Sequence, residues 1–223
     1  AEIAAIAHAH GALFHCDAIQ AAGKIPLSLA EIGADLMTLS AHKIGGPAGI
    51  GALAIAGNVE LTPLLRGGGQ ERNRRAGTEN IAGIAGVAAA AAACDPAEYE
   101  RVRMLRDQLE AALPADAVVI GRHIERLPNT SAIAMPGVAA ETQVIALDLD
   151  GVMVSAGAAC SSGKVGPSHV LAAMGIAPYI ANATIRVSLG WSTTEADIAH
   201  FLDAWTALHR RIRRQAPGSS KAA

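Results

Sequence analysis

Thr38-Leu39-Ser40-Ala41-His42-Lys43-Ile44-Gly45-Gly46-Pro47 is the stretch on which the reading of this chain turns. The apolar run Leu36 to Leu39 predicts a short buried strand. That strand ends in Ser, His and Lys and runs into a Gly-Gly-Pro turn. A hydroxyl, an imidazole and an amine then stand at the mouth of a strand, where α/β sheets bind ligands. A lysine in that company suggests an amine that forms a Schiff base with pyridoxal phosphate. The plainer alternative is a solvated loop lysine, so the flanking segments have to decide.

Upstream, Glu2 to His10 has helical spacing, with Ile3 and Ile6 on one face and Gly11 as the stop. Ala12 to Asp17 predicts a buried strand. Asp17 sits at its carboxyl end, followed by Ala18-Ile19-Gln20 and a loop through Gly23. Asp17 is open to two readings. One is a simple cap for the next turn; the other is a carboxylate that pairs with a protonated ring nitrogen. Leu29 to Gly33 predicts a helical turn and Asp35 to Ser40 the next strand. Helix, strand, helix, strand favours parallel pairing with right-handed crossovers. Asp17 and Lys43 are then expected at the same edge of neighbouring strands. Gly49 to Ala56 predicts a further strand, antiparallel after the tight turn.

Downstream, Arg66-Gly67-Gly68-Gly69-Gln70-Glu71-Arg72-Asn73-Arg74-Arg75-Ala76-Gly77-Thr78 joins a glycine run to four arginines. Glycine lets backbone amides approach an anion, and arginine suits phosphate or carboxylate. A flexible loop, or a generic nucleotide-phosphate site on Gly67 to Gly69, is the competing reading. Glu79 to Cys94 predicts an Ala-rich helix, thin enough to pack tightly on another helix or subunit. Asp95-Pro96 is a helix start, and Ala97 to Leu113 an amphipathic helix that Pro114 ends. The domain boundary is placed at Asp95, giving domains 1–94 and 95–223. Strands and helices over Val118–Gly121, Ser131–Met135, Glu141–Leu149 and Val152–Val154 predict a small α/β domain with an antiparallel sheet.

Ser155 to Pro167 is a loop of small residues that carries Cys160. A free Cys is often buried and inert, but this loop offers nothing to build an apolar pocket around the sulfur. Lys164 and His169 could favour the thiolate. Ser168 begins a helix through Met174. Ala183 to Gly190 alternates as a strand, with Arg186 apt for a bidentate carboxylate contact or simply exposed to solvent. Thr193 is the expected N-cap of a last helix, Thr194 to Arg214, whose basic end suits the helix dipole. Residues 215–223 read as a disordered polar tail.

The 223 residues are 51% hydrophobic and 17% charged, enough for one large domain or two small ones with real cores. A net charge of -2 gives no sign of nucleic acid or an anionic membrane as partner. The longest apolar run, Ile81 to Cys94, is short of the ~20 residues of a membrane span. Three widely separated cysteines without metal spacing fit a reducing cytoplasm rather than a disulfide framework.

Six segments, in this order, carry a family resemblance. They are His15-Cys16-Asp17-Ala18-Ile19-Gln20, Ser40-Ala41-His42-Lys43, Arg75-Ala76-Gly77-Thr78-Glu79-Asn80, Ala159-Cys160-Ser161-Ser162-Gly163, Pro167-Ser168-His169-Val170-Leu171 and Arg186-Val187-Ser188-Leu189-Gly190. Together they resemble the cysteine desulfurases of the class-V aminotransferase family, fold-type I pyridoxal phosphate enzymes, over about residues 1–208. The long Cys160 loop is similar to the nitrogen-fixation and iron–sulfur-assembly type.

The resemblance implies an aspartate aminotransferase-like α/β fold. Residues 1–94 would be the C-terminal part of the cofactor-binding large domain. Residues 95–223 would be the small domain. It implies that Lys43 holds pyridoxal 5'-phosphate and shuttles protons, that Asp17 pairs the ring nitrogen and that Gln20 bonds the ring hydroxyl. Ser40 and His42 would hold the phosphate, and Thr78 the phosphate of the partner subunit in a homodimer. Arg186 would clamp the carboxylate of L-cysteine. Cys160 would be the nucleophile that carries a persulfide to an iron–sulfur scaffold or other acceptor, with a transient iron contact there.

In the family pattern a comparable length of chain precedes Ala1. It holds a Gly/Thr phosphate turn, a ring-stacking aromatic or His, and an Asn near the ring hydroxyl. The chain is therefore expected to be a fragment, or to have its other half supplied by another chain. The competing functions are a selenocysteine lyase of the same family and a truncated, non-catalytic dimerisation or scaffold-binding module.

Overall fold

The computed structural model describes residues 1–57, 59–157 and 168–215. The chain divides into two compact units, Ala1–Pro96 and Ala97–Ala223.

The first unit starts with helix α1 (Glu2–Ala9), whose buried residue is Ala4. Strand β1 (His15–Asp17) lies parallel to β2 (Leu36–Ser40), and β2 lies antiparallel to β3 (Gly51–Ile55). β2 is thus the central strand of three. β1 is shorter than the predicted Ala12–Asp17. Phe14 O takes the amides of Asp35 and Leu36, so the ladder begins only after it. Between the parallel strands stands α2 (Leu29–Ile32), capped by Ser28 and closed by Gly33 at φ 73. Asp35 anchors α1 to this sheet: its Oδ2 accepts from the Phe14 amide at 2.7 Å and meets His8 Nε2 at 2.8 Å. The buried residues are mostly small, among them Ala18, Ala22, Ala34, Met37 and Ala41, while Ile3, Ile6, Leu13 and Leu53 are exposed.

After β3 comes the short turn α3 (Gln70–Asn73), in which Glu71, Arg72 and Asn73 sit at φ 47, 55 and 63. Three successive non-glycine residues in the left-handed region are strained. Helix α4 (Ile81–Ala93) follows, capped by Asn80 through a 3.0 Å bond from Gly83 N–H.

In the second unit, α5 (Pro96–Ala111) opens with Pro at its first position. Strands β4 (Val118–Ile120), β5 (Thr130–Ala134), β6 (Ser155–Ala156) and β7 (Thr184–Ser188) form an antiparallel sheet in the order β4-β5-β7-β6. Helices α6 (Ala140–Leu149), α7 (His169–Ala173), α8 (Pro178–Ala181) and α9 (Glu195–Gln215) complete it. The strand predicted at Val152–Val154 forms instead at Ser155–Ala156. There the pairing partners are Arg186 and Ile185 on β7, so register with β7 outweighs the local apolar run. The last helix is capped one residue later than predicted: the Thr194 hydroxyl accepts from Asp197 N–H, and Asp197 accepts from Thr194 in return. Gln215, read as the start of the tail, is the last residue of α9; residues 216–223 lie outside the described residues.

The core of this unit is Val102, Leu105 and Leu109 of α5, Ile133 of β5, Leu147 of α6, Ile185 and Val187 of β7, and Ile198, Phe201, Trp205 and Leu208 of α9. Each such side chain contributes about 1.5–3 kcal/mol on burial. No single helix among the described residues is long and apolar enough to cross a membrane.

Candidate active site

β1 and β2 are parallel, with Asp17 opposite Thr38, so both carboxyl ends open on the same edge of the sheet. Asp17 lies at that edge, exposed. Its Oδ1 accepts from Ile19 N–H at 3.0 Å. This turn of chain is what a short side-chain acceptor builds locally, and it leaves the other oxygen without a partner among the described residues. Ala18 N–H bonds back to Thr38 O at 3.1 Å. A helical turn then carries Gln20, exposed, to Gly23 at φ 72.

At the end of β2 the chain enters a 3-10 turn, Ala41–Ile44. Ser40 Oγ and His42 Nδ1 are hydrogen-bonded at 2.8 Å. His42 and Lys43 are exposed at the tip. The turn is closed by Gly46 N–H to Ala41 O at 2.8 Å and by Ala41 N–H to Ile50 O at 3.1 Å. Gly45 has φ 85, which a side chain would strain.

Helix α4 backs this turn. A Cβ on Gly86 would lie 2.4 Å from Pro47 Cγ, and one on Gly46 3.2 Å from Ala90 Cβ. The small residues that made α4 look thin in sequence let its backbone lie against the lysine turn. Thr78 is exposed two residues before the α4 cap. The arginine-rich loop before it closes on itself, with Ala76 N–H to Leu65 O at 3.1 Å and Gly77 N–H to Gln70 Oε1 at 3.2 Å.

The first unit thus brings Asp17, Gln20, Ser40, His42 and Lys43 to one sheet edge. In the second unit Arg186 is half-buried on β7, opposite Ala132 of β5 and Ser155 of β6. It has no carboxylate partner among the described residues. Cys160 and Lys164 lie outside the described residues. Among the described residues no group of three or more His, Cys, Asp or Glu could hold a metal ion.

Sequence reasoning missed Lys24. It is 7% exposed, and its Nζ donates to Gln20 O at 2.9 Å. Burial holds this amine below the ordinary lysine range, and the charge of Lys43 lowers it further, against an opposite pull from Cys94. Nothing in Gly23-Lys24-Ile25 marks such a lysine, because burial is a tertiary property.

The aminotransferase class-V family model matches residues 1–201. A cysteine desulfurase of Cereibacter sphaeroides is 44% identical over 218 residues, covering 96% of this chain and 56% of the relative. Cysteine desulfurase IscS of Dictyoglomus turgidum is 40% identical over 223 residues, 97% of this chain and 56% of the relative. The solved NifS-like protein from Rickettsia africae aligns with a TM-score of 0.83 at 36% identity, over 94% of this chain and 57% of that one. This α/β chain spans about half the length of the curated relatives it matches. It belongs to the class-V aminotransferase family.

Proposed function

We propose that the chain is part of a pyridoxal 5'-phosphate-dependent cysteine desulfurase. The enzyme removes sulfur from L-cysteine, releases L-alanine and leaves a persulfide on Cys160. The observation that carries this reading is the gathering of Asp17, Ser40, His42 and Lys43 at the carboxyl ends of two parallel strands, in a chain similar to proteins named cysteine desulfurase.

The donor set fits the cofactor: an exposed amine, a carboxylate with a free oxygen, and a hydroxyl–imidazole pair in reach of one turn. Bound there, pyridoxal phosphate supplies an electron-accepting ring. Lys43 would hold the cofactor, and its amine would take the proton from the substrate Cα. Asp17 keeps a proton on the ring nitrogen, and Gln20 bonds the ring hydroxyl. Ser40 and His42 hold the phosphate; in a homodimer Thr78 reaches that of the partner subunit. Arg186 binds the substrate carboxylate with its two-pronged guanidinium.

The Cys160 thiolate attacks the substrate sulfur. The S–S bond forms as the Cβ–S bond breaks. The bonding electron pair stays with Cβ, which takes a proton. Cysteine and thiolate become alanine and persulfide, with no external oxidant or reductant.

Residues 1–94 belong in this reading to the cofactor-binding large domain and 95–223 to the small domain. The persulfide passes to an iron–sulfur scaffold or other sulfur acceptor, with a transient iron contact at Cys160. Widely spaced cysteines, of which Cys16 and Cys94 are free thiols, support a cytoplasmic site of action.

The test is the full-length natural protein with L-cysteine and a thiol. Alanine and sulfide appear in equal amounts, and borohydride fixes the cofactor on Lys43. Selenide from selenocysteine without sulfide from cysteine would make it a selenocysteine lyase. No product and no label on Lys43 would leave a dimerisation or scaffold-binding module.

A further inference from the structure

A cavity of about 440 Å³ opens in the second unit between helix α5 and the loop after β4. Small-molecule sites measure about 300–1,000 Å³, and nothing in the reading above uses this one. Four guanidiniums line it, Arg103 and Arg106 from α5 and Arg122 and Arg126 from the loop.

Their counter-charges are unequally shared. Arg103 is held by Glu100 and by Asp107 Oδ2, the latter at 3.2 Å. Arg106, 7% exposed, donates to Asp107 Oδ1 at 3.0 and 2.7 Å and to Leu127 O at 2.9 Å. Arg126 takes both oxygens of Glu110. Arg122 is left over. It gives one N–H to the Glu110 carbonyl at 2.6 Å. Glu110 Oε2 lies 3.9 Å from its Nε and already accepts from Arg126. Glu125 lines the cavity too, but it is exposed and makes no ion pair among the described residues.

An arginine that served only to cap the end of α5 would need that one bond. A guanidinium has five N–H donors, so four of those on Arg122 remain, on a side chain 46% exposed. Asp107 and Glu110 stand one turn apart on α5 and fix Arg103, Arg106 and Arg126 around the same space. The donors are thus oriented before a ligand arrives, which lowers the entropy lost on binding.

We propose that this cavity binds a phosphate monoester, with Arg122 as the main ligand of the phosphate. Such a group is close to dianionic at neutral pH and offers three acceptor oxygens, which guanidinium forks grip in pairs. Ala111 and Ile124 add apolar wall for the organic part. The proposal is independent of the role of Lys43.

The experiment is calorimetric titration of the full-length natural protein with AMP, in saturating pyridoxal phosphate so that any site at the lysine turn is filled. Adenosine and succinate are titrated alongside. AMP should bind saturably, one per chain, and adenosine should not. Arg122→Gln should weaken AMP by about tenfold or more, the worth of a hydrogen bond to a charged group. Hydrogen exchange of the wild type should show AMP protecting residues 103–111 and 122–126, a readout that stands even if Arg122→Gln fails to fold.

No saturable AMP binding overturns the proposal. So does protection confined to other segments, or an affinity unchanged in a folded Arg122→Gln. Adenosine binding as tightly as AMP removes the role of charge, and succinate binding as tightly removes the assignment to phosphate; either overturns it as well.

Discussion

Ser40 Oγ and His42 Nδ1 stand 2.8 Å apart, joined across the first step of the turn that carries Lys43. The bond occupies one ring nitrogen and leaves Nε2 to face solvent or a ligand. If the pair holds a phosphate, each partner orients the other. Ser40→Ala and His42→Ala should each weaken pyridoxal phosphate binding by about ten- to a hundredfold, the worth of roughly 1.5–3 kcal/mol for a hydrogen bond to a charged group. The double variant should lose less than the product of the two, because one interaction is removed twice. Fluorescence titration of the full-length protein with the cofactor measures all three.

Gly86 faces Pro47 so closely that an added Cβ would sit 2.4 Å from Pro47 Cγ. Pro47 is rigid, so the turn has to give way. Gly86→Ala should cost about 1–3 kcal/mol of stability by overpacking and should loosen the Lys43 turn. Thermal unfolding reads the first effect. A weakened cofactor affinity, in a variant that still folds, reads the second.

Glu110 is 4% exposed and accepts from Arg126 at 2.8 and 2.7 Å and from Ser131 Oγ at 2.6 Å. Arg126→Met removes the two-pronged cation and leaves only Arg122 Nε, 3.9 Å from Glu110 Oε2, so it should destabilise by somewhat less than the ~3–5 kcal/mol of a fully stranded buried charge. Glu110→Gln in the same chain should recover part of that loss, since it removes the stranded charge. Both tryptophans, Trp191 and Trp205, lie in the second unit, so their fluorescence during urea unfolding follows the change.

His209 stacks on Trp205 at 5.5 Å and 7°, with Nε2 2.9 Å from Asp116 Oδ2. Burial, and then the charge of Arg210, hold its pKa below the ordinary histidine value. Asp116 would pull the other way, but Arg213 shares that carboxylate. A histidine with a lowered folded-state pKa binds fewer protons folded than unfolded, so stability rises with pH across that window. The contribution is present above the unfolded value of 6.5 and is lost as pH falls from there towards the folded pKa. Urea midpoints followed by tryptophan fluorescence should therefore drop between neutral pH and about pH 5.5. His209→Gln should flatten that drop.

The elements around the lysine were legible because local chemistry decides them. The apolar run Leu36–Leu39 became β2, and in the second unit Ser168 became a helix cap, since a side-chain oxygen at a helix start serves whatever lies around it. Asp17 shows the local one of its two readings, accepting from Ile19 N–H, and it stands at the sheet edge with Ser40. The left-handed run Glu71-Arg72-Asn73 was not legible. The glycines at 67–69 drew attention to themselves, whereas the strain fell on residues that rarely adopt positive φ.

By itself the sequence determined the order of elements, the parallel step from Asp17 to Lys43 and the chemistry at each strand end, because side-chain type and spacing act over a few residues. The tertiary structure decided which of those groups touch. It placed Lys24 in the interior against the Lys43 turn, seated α4 on Pro47, and drew β6 to Ser155 rather than Val152. Burial, close packing and strand register depend on segments far apart in the chain, and short-range patterns carry no record of them.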